Sequence, residues 1–172
     1  MKLISLFFLL ILPWHFNANV EKGEEPIRFQ LKNAGITVHG TISDWEYEIY
    51  WDAKKLANCK VTGTANPATI NTGIKLRDKH LLGRQYFHTD QFPLISLQSK
   101  KIRTKGKNSY VGVFDLQIRG VKKEIEVPFT VVVVGQLQVF KAEFSLNRLD
   151  FGVGESSLVL SDEVKVMIEL KK

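Results

Sequence analysis

Hydrophobic and polar residues alternate along most of the chain after residue 26, with the period of two that is typical of half-buried β-strands. The alternating segments are residues 27–32, 36–42, 46–51, 60–66, 95–98, 110–119, 124–133, 140–146 and 164–170. Most are joined by short turns, and no βαβ pattern is present. The pattern predicts an antiparallel all-β domain of about eight strands. A closed barrel is favoured over a sandwich because closure removes exposed sheet edges.

One stretch, residues 70–93, interrupts this alternation. Leu76, Leu81 and Leu82 are set among charged residues, and their spacing suits one short amphipathic helix better than a strand. Gly83 is a suitable residue to end that helix. Because a single helix in a chain of strands usually covers the end of a barrel, the stretch predicts a lid near the barrel mouth.

The first part of the chain has the pattern of a secretory signal. A basic start is followed by an apolar run, residues 3–12, and by short residues around Ala18. The run is too short to span a bilayer, which takes roughly twenty residues. Cleavage is favoured over a buried first strand or a membrane anchor. The sequence therefore predicts a signal peptide at residues 1–18, a flexible segment at 19–26 and one domain at 27–172, in a periplasmic or secreted protein.

The net charge of +6 is spread over the sequence, with one denser basic segment at residues 100–107. A nucleic-acid site would need exposed aromatic residues among the basic ones, and here only Tyr110 is near. We therefore expect a solvated hairpin tip and no nucleic-acid partner, with weak attraction to an anionic membrane surface as an alternative. Cys59 is the one cysteine, so an intrachain disulfide is excluded, and we expect a partly buried, inert thiol.

Catalytic and metal-binding motifs are absent from the sequence: there is no HExxH, CxxC, GxSxG or phosphate-binding loop. His80 and His88 lie near Asp78 in the helical stretch, and we expect them to be surface residues. We therefore predict no metal, no cofactor and no catalytic residue. The alternative is a hydrolase of lipid-like substrates, which requires these three side chains to converge within hydrogen-bond reach.

The inner face of the predicted sheet is apolar, but the pattern leaves its packing open. A barrel of about eight strands is either filled by side chains or holds one small ligand. Bulky and small residues project to the same side: Tyr47, Trp51, Phe114, Phe129 and Phe144, with Gly63, Ala65, Gly112 and Ala142. A solid interior would suit a protein-interaction module, whereas a hollow one would suit a ligand carrier.

Five segments, in this order, resemble the YceI-like family of bacterial periplasmic proteins. They are Ile70–Gly73, Arg77–Leu82, Tyr86-Phe87 with Phe92-Pro93, Leu116–Lys122 and Asn147–Gly154. The resemblance implies a lipocalin-like, extended antiparallel β-barrel with a helical segment near its mouth. It also implies an elongated apolar pocket that binds polyisoprenoid chains or similar long amphipathic lipids. The family often has two phenylalanines where this chain has Tyr86 and Phe87.

These arguments together predict non-catalytic binding, transport or storage of a long-chain amphipathic lipid of the polyisoprenoid or isoprenoid-quinone type, by a monomer or homodimer. The residues expected to contact the lipid are Phe29, Val38, Tyr47, Ile49, Trp51, Leu82, Phe87, Ile95, Leu97, Phe114, Leu116, Phe129, Val131 and Phe144.

The charged residues expected at the mouth are Arg77, Asp78, His80, Arg148 and Asp150. They could hold a lipid head group by charge-assisted hydrogen bonds. Alternatively, Arg148 or Arg77 pairs with Asp78 or Asp150 and fixes the helical stretch against the barrel. We favour the structural role.

Overall fold

The computed structural model describes residues 20–172, which form one curled antiparallel sheet. The predicted signal peptide, residues 1–18, lies outside the described residues. The strands are β1 (Glu21–Lys22), β2 (Ile27–Asn33), β3 (Ile36–Ile42), β4 (Trp45–Tyr50), β5 (Lys60–Ala65), β6 (Ile70–Asn71), β7 (Ile95–Gly106), β8 (Ser109–Ile118), β9 (Val121–Val134), β10 (Leu137–Asn147) and β11 (Glu163–Lys171). One α-helix, α1 (Lys75–Leu82), and 3₁₀ turns at Leu56–Asn58, Pro67–Thr69 and Arg148–Phe151 complete the described part.

The order of the strands shows why the sheet curls. Neighbours follow the order β1-β4-β5-β7-β8-β9-β10-β11-β2-β3-β6, so β3 and β4 lie near opposite ends of the sheet. However, only Ser43 and Asp44 separate these two strands in sequence. The amides of both linker residues donate to Thr69 Oγ1, at 3.2 and 3.1 Å. The two ends of the sheet are therefore held close together, and the strands enclose an interior.

The predicted all-β antiparallel fold with one short helix is confirmed, with a slightly different strand count. Nine strands have six residues or more, and the edge strands β1 and β6 have two residues each. β1 lies in the segment that was expected to be flexible. There it pairs with β4, and Glu25 accepts a hydrogen bond of 2.8 Å from Trp45 Nε1. This segment covers the outer edge of β4.

One local expectation for the strands is wrong. The basic segment at residues 100–107 is not simply a hairpin tip, because β7 continues to Gly106 and only Lys107 and Asn108 form the turn. Lys100 bonds Glu124 at 2.7 Å and Arg103 bonds Glu126 at 2.9 Å. Acidic residues of β9 therefore compensate part of this charge.

Gly40 marks no bend or bulge in β3. The β2–β3 ladder passes through it without a register shift, and Gly40 pairs with Phe29. A Cβ atom on Gly40 would lie 2.2 Å from Cζ of the Phe29 ring. The glycine is thus required because the aromatic ring of its cross-strand neighbour covers it.

We expect the change Gly40→Ala to lower the free energy of unfolding by about 1–3 kcal/mol, since the new methyl group displaces the Phe29 ring. Denaturant titration measures this loss. The change Phe29→Leu frees this space. In a protein that already carries it, Gly40→Ala should therefore lower the free energy of unfolding by less than it does in the wild type. An additive double variant would contradict this explanation.

The wall of the sheet opens between β9 and β10. Their ladder runs from the Leu137–Val134 pair to the Ala142–Phe129 pair, so the remainder of β10 pairs with β11 alone. Pro128 lies just beyond the last pair, where a missing amide hydrogen is tolerated. The Arg148–Phe151 turn packs here, and Phe151 is 1% exposed. This turn therefore replaces a missing part of the wall.

Candidate functional site

The interior of the curled sheet holds a cavity of about 530 Å³. This volume is within the roughly 300–1,000 Å³ typical of small-molecule sites. Residues of the strands supply most of the lining, from β5 as well as from β2, β8, β9, β10 and β11, and most of their side chains are hydrocarbon. The elongated strands make the site a long apolar chamber.

Several lining residues are only half-buried even though they point inward. Leu31, Val38, Phe144 and Leu146 lie on inner faces of the sheet, yet each keeps intermediate solvent accessibility. Close-packed interiors leave few voids larger than a water molecule. The accessibility of these side chains is therefore accessibility to the cavity. The alternative of a solid barrel conflicts with this arrangement in the described part of the chain.

An aromatic cluster packs against the cavity, with Trp51 at its centre. The Trp51 ring meets Tyr110 edge-on at 4.8 Å, Phe140 at 5.3 Å and Phe129 at 5.8 Å between ring centroids. Phe129 and Phe140 also line the cavity, whereas Trp51 does not. Aromatic side chains thus fill one part of the interior and leave the rest hollow.

Helix α1 borders the cavity where it meets solvent. Ile74 and Leu76 line the cavity and are 53% and 65% exposed, so they mark its mouth. The prediction of a short helix ending at Gly83 near the mouth is confirmed. The expected amphipathic packing is met in part: Leu81 and Leu82 pack against the cluster around Trp45 and Ile70, whereas Leu76 faces the opening. Ile74 and Leu76 therefore form an apolar rim.

The structure places ten of the fourteen predicted contact residues in the lining: Phe29, Val38, Tyr47, Phe87, Ile95, Leu97, Phe114, Leu116, Phe129 and Phe144. The other four, Ile49, Trp51, Leu82 and Val131, lie outside it. Trp51 and Val131 belong to the aromatic cluster, against which Ile49 packs. Leu82 packs with the cluster around Trp45 and Ile70, and Leu81 lines the cavity in its place. Contact of any of these residues with a ligand stays a prediction.

Sequence reasoning missed one wall of the chamber, which β11 provides through Val164, Val166, Ile168 and Leu170. Their strict alternation was a sufficient signal that they share a face. Ile74 and Leu160 were also missed. They lie in irregular segments at the rim, where no periodicity marks the inward side.

Arg148 lines the cavity but is occupied by the protein itself. It is 4% exposed, and its guanidinium donates to the carbonyls of Ser161, Val153 and Glu155 at 2.8–3.0 Å. Its ion-pair partner is Asp162, at 2.8 Å. A buried arginine with this set of acceptors fixes the loop that follows β10. That loop borders the β2–β3 hairpin, where Ala34 donates to the carbonyl of Val159 at 2.7 Å.

The predicted arginine–aspartate pairs at the mouth are wrong. Arg77 donates through Nε and Nη2 to the hydroxyl and carbonyl oxygens of Thr72, at 2.7 and 2.8 Å. Asp78 accepts from the amide and hydroxyl of Thr72, at 2.9 and 2.5 Å. Asp150 instead pairs with Lys123, at 3.1 Å. Thr72 therefore anchors the start of α1, which charge patterning alone could not indicate.

The three residues of the hydrolase alternative have different surroundings. Asp78 binds Thr72, and His80 lines the main cavity. His88 lies against the Phe92 ring, at 5.7 Å between centroids, and lines a separate shallow pocket. No hydrogen bond joins the three in the described residues, and no cluster suited to a metal ion occurs there. The convergence that this alternative requires is not met.

Two titratable groups near the interior are held in their neutral forms. Burial raises the pKa of Tyr47, against the opposing effect of its hydrogen bond to the Lys171 carbonyl, at 2.7 Å. Burial likewise raises the pKa of Cys59, whose thiol donates to the Asp52 carbonyl. A neutral, half-buried thiol is a poor nucleophile, which agrees with the expected inert cysteine.

The family of the chain follows from its match to known proteins. The YceI-like domain model matches residues 19–172. The chain belongs to the YceI-like family. A UPF0312 protein of Photorhabdus laumondii is 31% identical over 100 residues, covering 58% of this chain and 52% of the relative. A UPF0312 protein of Staphylococcus aureus is 29% identical, covering 63% and 61%. This YceI-like chain thus spans about half to three fifths of these curated relatives.

Solved structures show the same fold. BcnA of Burkholderia cenocepacia superposes with a TM-score of 0.82 and 23% identity, covering 86% of this YceI-like chain and 95% of BcnA. The YceI protein of Campylobacter jejuni gives 0.72 and 25%, covering 78% and 84%. A polyisoprenoid-binding domain from Saccharophagus degradans gives 0.68 and 13%, covering 88% and 95%. No helix in the described residues is long and apolar enough to cross a membrane.

Proposed function

We propose that this YceI-like protein binds one long-chain amphipathic lipid, of the polyisoprenoid or isoprenoid-quinone type, and carries or stores it without chemical change. The observation that carries the proposal is the hollow, hydrocarbon-lined interior with an apolar rim. The Saccharophagus degradans domain, whose name states polyisoprenoid binding, has the same fold. With the predicted signal peptide, the proposal places the mature protein in the periplasm or outside the cell.

The energetics of such a chamber favour long apolar chains. Each methylene group transferred from water into a hydrocarbon environment contributes about 0.8 kcal/mol. Because the lining offers few polar partners, affinity should depend on the length and shape of the chain more than on specific hydrogen bonds. A lining of this kind suits a carrier, since a carrier must exclude water from the whole lipid chain.

The test is a titration of delipidated, refolded protein with fluorescent lipids of increasing chain length. We expect saturable binding of one lipid per chain, with affinity rising about fourfold per added methylene group until the cavity is full. Mass spectrometry of organic extracts from the untreated protein identifies the natural ligand. Binding without saturation, or affinity independent of chain length, would overturn the proposal.

A further inference from the structure

The two arginines that line the cavity differ in one respect. Arg148 is neutralised by Asp162 at 2.8 Å and donates to four carbonyl groups. Arg77 makes no ion pair with any described residue, and its Nη1 donates to none of them. Asp78 is the nearest acidic residue in sequence, and its carboxylate reaches Arg77 only through the Thr72 hydroxyl, which donates to Asp78 Oδ1 and accepts from Arg77 Nε. A positive charge is thus left without a direct ion-pair partner at the mouth of an apolar chamber.

The position of Arg77 is fixed and directed. Its Nε and Nη2 are held by Thr72, and the guanidinium is half-buried in the cavity lining. Since the guanidinium is planar, these two bonds orient Nη1 as well. His80 follows three residues later on α1, on the same side of the helix, and it also lines the cavity. Two nitrogen-bearing side chains therefore border the mouth together.

From this geometry we infer that the mouth of the cavity binds an anionic oxygen head group, a carboxylate or a phosphate, through Arg77 with His80 beside it. The inference rests on the proposed function and specifies the lipid class. An arginine without an ion-pair partner in apolar surroundings gains most from a charged acceptor, because charge-assisted hydrogen bonds are roughly twice as strong as neutral ones. A neutral alcohol or quinone head would leave Nη1 of Arg77 without a charged acceptor.

The experiment compares three lipids with the same alkyl chain, a fatty acid, a monoalkyl phosphate and a fatty alcohol, on the full mature protein. The wild-type protein should bind at least one of the two anionic lipids about tenfold more tightly than the alcohol. The change Arg77→Gln should abolish that preference, so that the acid, the phosphate and the alcohol bind with affinities within about twofold of one another. The acid and phosphate arms show which head group fits.

Two further variants separate head-group binding from other effects. Lys79→Gln removes the same charge from the same helix, but Lys79 does not line the cavity, so the preference should persist. His80→Gln leaves the anchor at Thr72 intact and should weaken the anionic lipids selectively, by a factor of about two to five.

Three results would overturn the inference. They are an equal loss for all lipids in Arg77→Gln, no change in that variant, or equal binding of acid, phosphate and alcohol by the wild type. In each case, saturable binding of the fatty alcohol would still support the proposed function as a lipid carrier. Failure of every lipid to bind would overturn the proposed function itself.

Discussion

Replacement of Arg148 by methionine is expected to lower the free energy of unfolding by about 3–5 kcal/mol, because several acceptors around this buried arginine lose their donor at once. Methionine fills a similar volume, so the loss of stability reports the missing N–H donors of the guanidinium group. The carbonyls of Ser161, Val153 and Glu155 and the carboxylate of Asp162 would all lose their partner. Chemical denaturation measures the effect.

The matched control for this change is Lys123→Met, which breaks the ion pair with Asp150. Both side chains of that pair are about half exposed, at 43% and 53%. Exposed ion pairs contribute at most about 1 kcal/mol, so this variant should be nearly as stable as the wild type. Equal stability of the two variants would show that Arg148 does not hold the loop after β10.

The second large effect is on ligand binding. Ala142 lies in the middle of β10, lines the cavity and is half-buried. The change Ala142→Trp places an indole ring in the space that the lipid chain would occupy. We expect affinity for a long-chain lipid to fall by a factor of about one hundred or more, since an aromatic side chain buries roughly 150–250 Å². The fluorescence titration measures this loss.

The control uses the opposite face of the same strand. Ser145 on β10 is exposed, so Ser145→Trp adds the same ring outside the chamber and should change affinity by less than about twofold. A thermal melt of each variant verifies that the sheet is intact. If a folded Ala142→Trp variant binds normally, the lipid must lie elsewhere and the interior is not the site.

Strand periodicity was the most informative property of the sequence. Alternation predicted the inward faces of β8 and β10, because a strand buried on one side has a period of two regardless of its partners. It also predicted that Val164 and Leu170 share a face. It could not predict that β3 and β4, adjacent in sequence, lie near opposite ends of the sheet order, since that depends on pairing between distant strands.

The errors at the mouth have a different cause. Charge patterning identified Arg77, Asp78 and Arg148 as residues of interest, but it assigned the wrong partners. Their hydrogen bonds go to Thr72 and to loop carbonyls. Backbone carbonyls are present at every residue, so the sequence cannot distinguish which ones face an arginine. Side-chain to backbone contacts in irregular segments are therefore the least predictable part of this site.

The ladder between β2 and β11 joins the first and the last long strands of the described residues, through pairs such as Phe29 with Val166. During synthesis β2 and β3 emerge well before β11, which pairs with β2 in the sheet. Contacts between such distant residues close a long loop and form slowly. Until then the apolar faces of β2, β3 and β11 stay open to water, so a chaperone that shields them would raise the yield of the folded protein.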